Sequence, residues 1–163
     1  MQLNEETKLR TLVAAAIDGI LILKNNIIID CNRRILEMFG CRHEEIIGTS
    51  PLDWSPARQG EEIYTADQLH KNFAAAHQNQ ILFFEWVHLR KDGTPFHAEI
   101  CLYSLDQHRS GHLIAVLKDI TEQKNIQSEL RSNDQKLKAA HTELISLYQQ
   151  LAASEEAIGQ PVA

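Results

Sequence analysis

Histidine, cysteine and tryptophan are the residues of this 163-residue chain with the most chemistry to offer, and few of them stand at catalytic spacings. Cys31, Cys41 and Cys101 are odd in number, widely separated and without a Cys-x-x-Cys pair, so they read as reduced core thiols rather than a disulfide framework or zinc site. No Gly-rich phosphate loop, His-Glu-x-x-His, Gly-x-Ser-x-Gly or paired metal-binding carboxylate motif occurs, and the expectation is a chain that is not an enzyme. Binding chemistry remains. Trp54, Trp86 and His88 stand on apolar segments; either the two tryptophans are core filler, or they wall a cavity in which His88 supplies one polar contact. His70 and His77 lie seven apart, two helical turns, near the edge of an apolar helix face.

The element that must position Trp86 and His88 is a hairpin, Phe83 to Leu89 and Phe96 to Leu102, with an expected two-residue turn at Asp92-Gly93. Alternation puts Phe84, Trp86 and His88 on one face of the first strand, with Phe96, Ala98, Ile100 and Leu102 together on the second. The opposite faces carry Phe83, Glu85, Val87 and Leu89, and His97, Glu99, Cys101 and Tyr103. Both faces hold apolar groups, so helices must cover one, and a terminal helix or partner subunit the other.

Around this hairpin the chain reads in order. Asn4 caps an N-terminal helix carrying Leu9, Leu12, Val13 and Ala16. Strands Gly19 to Lys24 and Ile27 to Cys31 are joined by Asn25-Asn26, a pair that tolerates positive φ. Asn32 caps a helix from Arg33 to Phe39 that Gly40 ends, and a second short helix covers His43 to Ile47. Two prolines make Gly48 to Gly60 irregular, with Trp54 tucked inward. A helix from Ala66 to Gln78 places Leu69, Phe73 and Ala76 on one face, and His112 to Lys118 is the last of five strands.

The C-terminal part differs in kind. Leu130, Leu137, Leu144 and Leu151 fall at a, and Ile126, Asn133, Ala140 and Leu147 at d, of a heptad seam. A helix from Glu122 to about Ser154 would run roughly 50 Å at 1.5 Å per residue, so its leucines are expected to pair with a second copy in a parallel homodimer, Asn133 against Asn133. The expected divisions are 1–17, a capping helix; 18–121, the sheet domain; 122–154, the coiled coil; and 155–163, a frayed tail. The net charge of −6 is spread without a basic stripe, so neither nucleic acid nor an anionic membrane is an expected partner. The longest apolar runs fall far short of a membrane span, and with reduced thiols the chain reads as soluble and cytoplasmic.

Asp18-Gly19-Ile20, Asp30-Cys31-Asn32, Met38-Phe39-Gly40, Ile46-Ile47-Gly48, Arg90-Lys91-Asp92-Gly93 and Asp119-Ile120-Thr121-Glu122 together resemble a PAS domain over about residues 9 to 122. The resemblance implies an α+β fold with a five-stranded antiparallel sheet of order 2-1-5-4-3 and helices over a ligand cavity on one face. It implies a sensory or dimerising module whose C-terminal helix drives an effector, such as a histidine kinase or diguanylate cyclase, downstream or in trans. The expected cavity residues are Trp54, Leu69, Phe73, Phe84, Trp86, His88, Ile100 and Leu102, and a small molecule is the expected ligand. Asp119, Ile120 and Thr121 are the expected signal-coupling joint, with Thr121 capping the helix.

The flavin photosensors of this family follow the glycine matching Gly48 with x-Asn-Cys-Arg-Phe-Leu-Gln. Here Thr49-Ser50-Pro51-Leu52 puts Pro51 where the reactive cysteine belongs, which argues against flavin. Haem-binding members place an axial histidine on the helix matching Ala66 to Gln78, where His70 is the better candidate and His77 the second. The readings in view are thus a small-molecule sensor, a ligand-free dimerisation scaffold and, third, a haem-based gas sensor.

Overall fold

The computed structural model describes residues 16–60, 63–105 and 111–158. The strands are β1 (Gly19–Lys24), β2 (Ile27–Cys31), β3 (Leu82–Leu89), β4 (Pro95–Ser104) and β5 (His112–Asp119). The helices are α1 (Arg33–Phe39), α2 (His43–Ile46), α3 (Thr65–His77) and α4 (Thr121–Ile158), with a 3-10 turn at Pro51–Trp54. All strand pairs are antiparallel and the sheet order is β2-β1-β5-β4-β3. This is the α+β architecture and strand order that the resemblance implies. The N-terminal capping helix expected over 1–17 lies almost wholly outside the described residues.

Short polar side chains set the joints. Asn25 and Asn26 both take positive φ, 50° and 66°, which closes the β1–β2 hairpin in two residues. Asn32 Oδ1 accepts from Ile35 N at 3.2 Å, capping α1, and from Ile20 N at 3.0 Å, while its Nδ2 donates to the Asp18 carbonyl at 3.0 Å. One amide therefore seats α1 on the start of β1.

The period-two pattern produces the core. Leu21 and Leu23, Leu113, Ala115 and Leu117, and Phe96, Ala98, Ile100 and Leu102 are buried on one sheet face together with Trp86 and His88. Against them pack Ile35, Met38 and Phe39 of α1, Ile46 of α2, and Leu69, Phe73 and Ala76 of α3. Each leucine, isoleucine, methionine or phenylalanine so removed from water stabilises the fold by about 1.5–3 kcal/mol before its entropy is counted. On the other face Phe83 stays exposed, with three quarters of its surface open.

Several local expectations change; the short helix α2, for one, ends at Ile46 rather than Ile47. The β3–β4 turn is Lys91-Asp92-Gly93, three residues rather than two: Arg90 N donates to Thr94 O at 2.8 Å, and only Gly93, at φ 85°, is left-handed. Asp92 Oδ1 accepts from both Thr94 N and Thr94 Oγ1, which holds the carboxylate residue in the preceding turn and leaves the αL position to glycine. The stretch read as irregular contains the 3-10 turn, which Ser50 caps by accepting from Leu52 N at 3.3 Å. α3 begins and ends one residue earlier than expected. α4 runs to Ile158, past the expected end at Ser154, because Ala152, Ala153, Glu155, Glu156 and Ala157 favour helix.

Candidate ligand-binding site

Between the sheet's buried face and α3 lies a cavity of about 30 Å³. Leu69 and Phe73 of α3 form one wall, and Phe84, Trp86 and His88 of β3 with Ile100 and Leu102 of β4 form another. Leu21, Leu23, Ala115, Leu117 and Pro51 complete it; the same alternation applied to β1 and β5 would have pointed to the first four. Pro51 came from the 3-10 turn, which carried no periodic signal.

Among the described residues, His88 is the only one in this lining that is not apolar or an indole. It is 2 % exposed, with its ring stacked on Phe96 at 5.5 Å between centroids and set edgewise to Phe39 at 5.1 Å. Its Nδ1 lies 3.2 Å from the Trp54 carbonyl oxygen. A carbonyl only accepts, so Nδ1 carries the proton and Nε2 keeps its lone pair. Burial drags the imidazole down to about 4, against a weaker upward pull from the Trp54 carbonyl, and the ring is neutral at ordinary pH. Among the described residues, Nε2 has no hydrogen-bond partner.

The loop after α2 is pinned to β3. Trp86 Nε1 donates to Ser55 Oγ at 2.9 Å; Gln59 Oε1 accepts from Val87 N at 2.7 Å, and Gln59 Nε2 donates to Val87 O at 2.9 Å. The last two bonds also satisfy part of the open edge of β3. Trp54, expected in the cavity wall, is not there. Its indole stands outside, half-buried, donating to Thr49 Oγ1 at 2.8 Å and packing edgewise on Phe39, because the 3-10 turn points Pro51 inward instead. Only its backbone carbonyl reaches the site, through His88.

His70 is exposed, since the face of α3 bearing Leu69, Phe73 and Ala76 is the one turned to the sheet. It cannot serve as an axial ligand inside the domain. His77 is half-buried, with Nε2 3.2 Å from Asn26 Oδ1 at the β1–β2 turn. A cavity of about 30 Å³ is also far too small for haem, so these residues do not fit that group. The three cysteines are free, and burial pushes Cys31 up to about 11, which keeps it a thiol.

A second cluster joins the core to α4. Arg90 Nη1 donates to the Met38 carbonyl at the end of α1, and Arg90 Nη2 lies 3.0 Å from Asp119 Oδ2. The guanidinium also sits 4.5 Å above the Phe96 ring. Asp119 Oδ1 accepts from Thr121 N at 2.9 Å; burial would raise this carboxyl, but the bonds from Thr121 and Arg90 outweigh it and hold it below the usual carboxylate range. Ile120 is buried, and its N donates to His97 O at 2.9 Å. Thr121 is itself the first helical residue, and its hydroxyl accepts from His97 N at 2.9 Å. The expected cap is therefore a clamp onto β4, with Asp119 meeting the first helical N–H instead.

The chain divides into two compact units at Thr121/Glu122. α4 has 38 residues, about 57 Å at 1.5 Å per residue. Ile126, Leu130, Leu137, Leu144, Leu147 and Leu151 are all more than half exposed in the single chain, and Asn133 is exposed as well. Extension to Ile158 adds one further a position. Among the described residues, no helix is long and apolar enough to cross a membrane.

The comparisons agree with this geometry. The structure of the PAS domain of an HTR-like protein from Haloarcula marismortui superposes with a TM-score of 0.61 at 20% identity, over 71% of this chain and 92% of that one. A domain of a sensory box sensor histidine kinase/response regulator from Geobacter sulfurreducens gives 0.59 at 19% identity, over 71% and 94%. The PAS domain, in complex with ethanol, of a LuxR-family transcriptional regulator from Burkholderia thailandensis gives 0.55 at 17%, over 68% and 96%. No curated protein matches the chain. The sequence profile of the PAS domain family matches residues 17–122, the whole of the sheet with its helices, and the chain belongs to the PAS domain family.

Proposed function

We propose that this chain is a cytoplasmic sensor that admits a small molecule to the cavity beneath α3 and passes its presence into a dimeric coiled coil, with no catalysis of its own. The observation that carries the reading is the buried Nε2 of His88, an unpaired polar atom on a residue that lines an otherwise apolar cavity. Such an atom costs free energy unless something pairs with it. The route outward is Arg90, which bonds the end of α1 and Asp119 at once, while Asp119 and Thr121 hold the start of α4. Phe39, in edgewise contact with His88, links the cavity wall to the helix whose carbonyl Arg90 binds.

On this reading the exposed seam of α4 pairs in parallel with a second copy, bringing the two Asn133 side chains together, and the coil rotates or tightens an effector domain. A neighbour drawn from a sensor histidine kinase/response regulator supports an effector of that kind, and one that holds ethanol supports small occupants. One observation favours a second reading. At about 30 Å³ the cavity is nearly filled by its own side chains, which suits a ligand-free dimerisation scaffold.

Xenon separates the two. Methyl spectra of the full chain under xenon pressure are expected to shift Leu21, Leu102, Ala115 and Leu117, with hydrogen exchange changing at Ile120 to Glu122. Unmoved methyls would leave the scaffold reading alone.

A further inference from the structure

The occupant's chemistry follows from the one unpaired buried polar atom that the lining residues hold, Nε2 of His88. Nδ1 of His88 spends its proton on the Trp54 carbonyl, so the group left for a ligand is a lone pair. A carbonyl, nitrile or carboxylate oxygen or nitrogen brought to it would set two acceptors against each other, whereas an O–H or N–H would satisfy it. Among the described residues no Lys or Arg lines the cavity, the His88 ring there is neutral, and no carboxylate lines it, so an ion would be desolvated without compensation. A lone imidazole with apolar neighbours likewise lacks the ligand set that metal ions require.

Water is the competing occupant, and the site suits it poorly. The cavity has room for about two water molecules, yet a buried water wants two to four polar partners and this lining supplies one. A molecule with one donor and an apolar remainder of two or three heavy atoms places the donor on Nε2 and its carbons against Leu21, Leu102 and Phe73. Resting on the ligand-pocket reading above, we infer that the cavity selects small uncharged hydrogen-bond donors, short-chain alcohols in the first place, through Nε2 of His88, and rejects acceptor-only molecules of the same size.

The test pairs two probes of three heavy atoms each: ethanol, which donates, and acetonitrile, which only accepts. Titrated into the ¹⁵N-histidine- and methyl-labelled full chain, ethanol is expected to shift the His88 Nε2 resonance towards that of a hydrogen-bonded acceptor. It should bind about fivefold or more tighter than acetonitrile, the worth of one paired buried acceptor. His88→Phe should bring the two affinities together while leaving both measurable at the lining methyls. Equal binding of both probes to the unsubstituted chain overturns the donor selection but leaves a ligand pocket standing. If neither ethanol, acetonitrile nor xenon moves any lining methyl, the pocket reading itself fails and takes this inference with it.

Discussion

Acid should weaken this fold through His88 before it touches the carboxylates. Burial lowers the imidazole from 6.5 to about 4 in the folded chain, whereas in the unfolded chain it titrates near 6.5. Below pH 6.5 the unfolded state therefore binds a proton that the folded state refuses. The stability that the neutral ring contributes is complete above pH 6.5, falls as the pH drops, and levels off below about 4. At about 1.4 kcal/mol per pH unit the whole loss comes to about 3.4 kcal/mol, of which about 2.6 should be gone by pH 4.5. The physical cost is that a protonated ring would place a second N–H in an apolar wall with nothing to receive it. Urea denaturation followed by circular dichroism, at one protein concentration and half-unit steps from pH 7 to pH 4.5, measures the slope. His88→Phe is the control, because every other titrating group is common to both proteins. Asp119, Asp92 and Glu45 are held below the usual carboxylate range and begin to contribute only towards the acid end. The variant should show the flatter profile, by at most about 1.4 kcal/mol per pH unit. Identical slopes in the two proteins between pH 6.5 and 4.5 would refute the buried, neutral His88 on which the donor selection rests.

Three other substitutions probe the remaining links. Trp86→Ala removes a buried indole and its bond to Ser55 Oγ, and should cost about 3–5 kcal/mol in denaturant midpoint analysis; unchanged stability would place that strand face outside the core. Thr121→Ala takes away the acceptor for His97 N and should cost about 1 kcal/mol, with hydrogen exchange accelerating at His97 and the first turn of α4 and not at Phe84; equal acceleration at both would argue against a local clamp. Leu137→Asp combined with Leu144→Asp should convert the sedimenting species from dimer to monomer while far-ultraviolet spectra of the sheet persist. An unsubstituted chain that is already monomeric at tens of micromolar would sink the coiled-coil reading.

Much of the fold could be read from the chain because its signals are local. Alternation along β3 and β4 assigned Trp86, His88, Ile100 and Leu102 to the buried face, since a strand's two-residue period leaves no third choice. Asn25-Asn26 and Asn32 announced their turn and cap because each acts within about three residues of itself. The heptad seam of α4 was legible for the same reason: spacing alone puts Leu130 to Leu151 in one line.

What depended on the chain returning to meet itself was not legible. That Trp54 contributes only a carbonyl, and that this carbonyl fixes which nitrogen of His88 keeps its lone pair, depends on two residues 34 positions apart. Pro51 enters the cavity because a 3-10 turn rotates it there, and no periodic pattern marks so short an element. Thr121 has the residue type of a cap, but β4 arrives beside it and takes its hydroxyl, while Arg90 reaches across to Asp119. Sequence determined which side chains face the core, because burial follows the period of each element. Tertiary structure alone decided which buried polar atoms find partners, because hydrogen bonds depend on sub-ångström placement of segments that the sequence does not make neighbours.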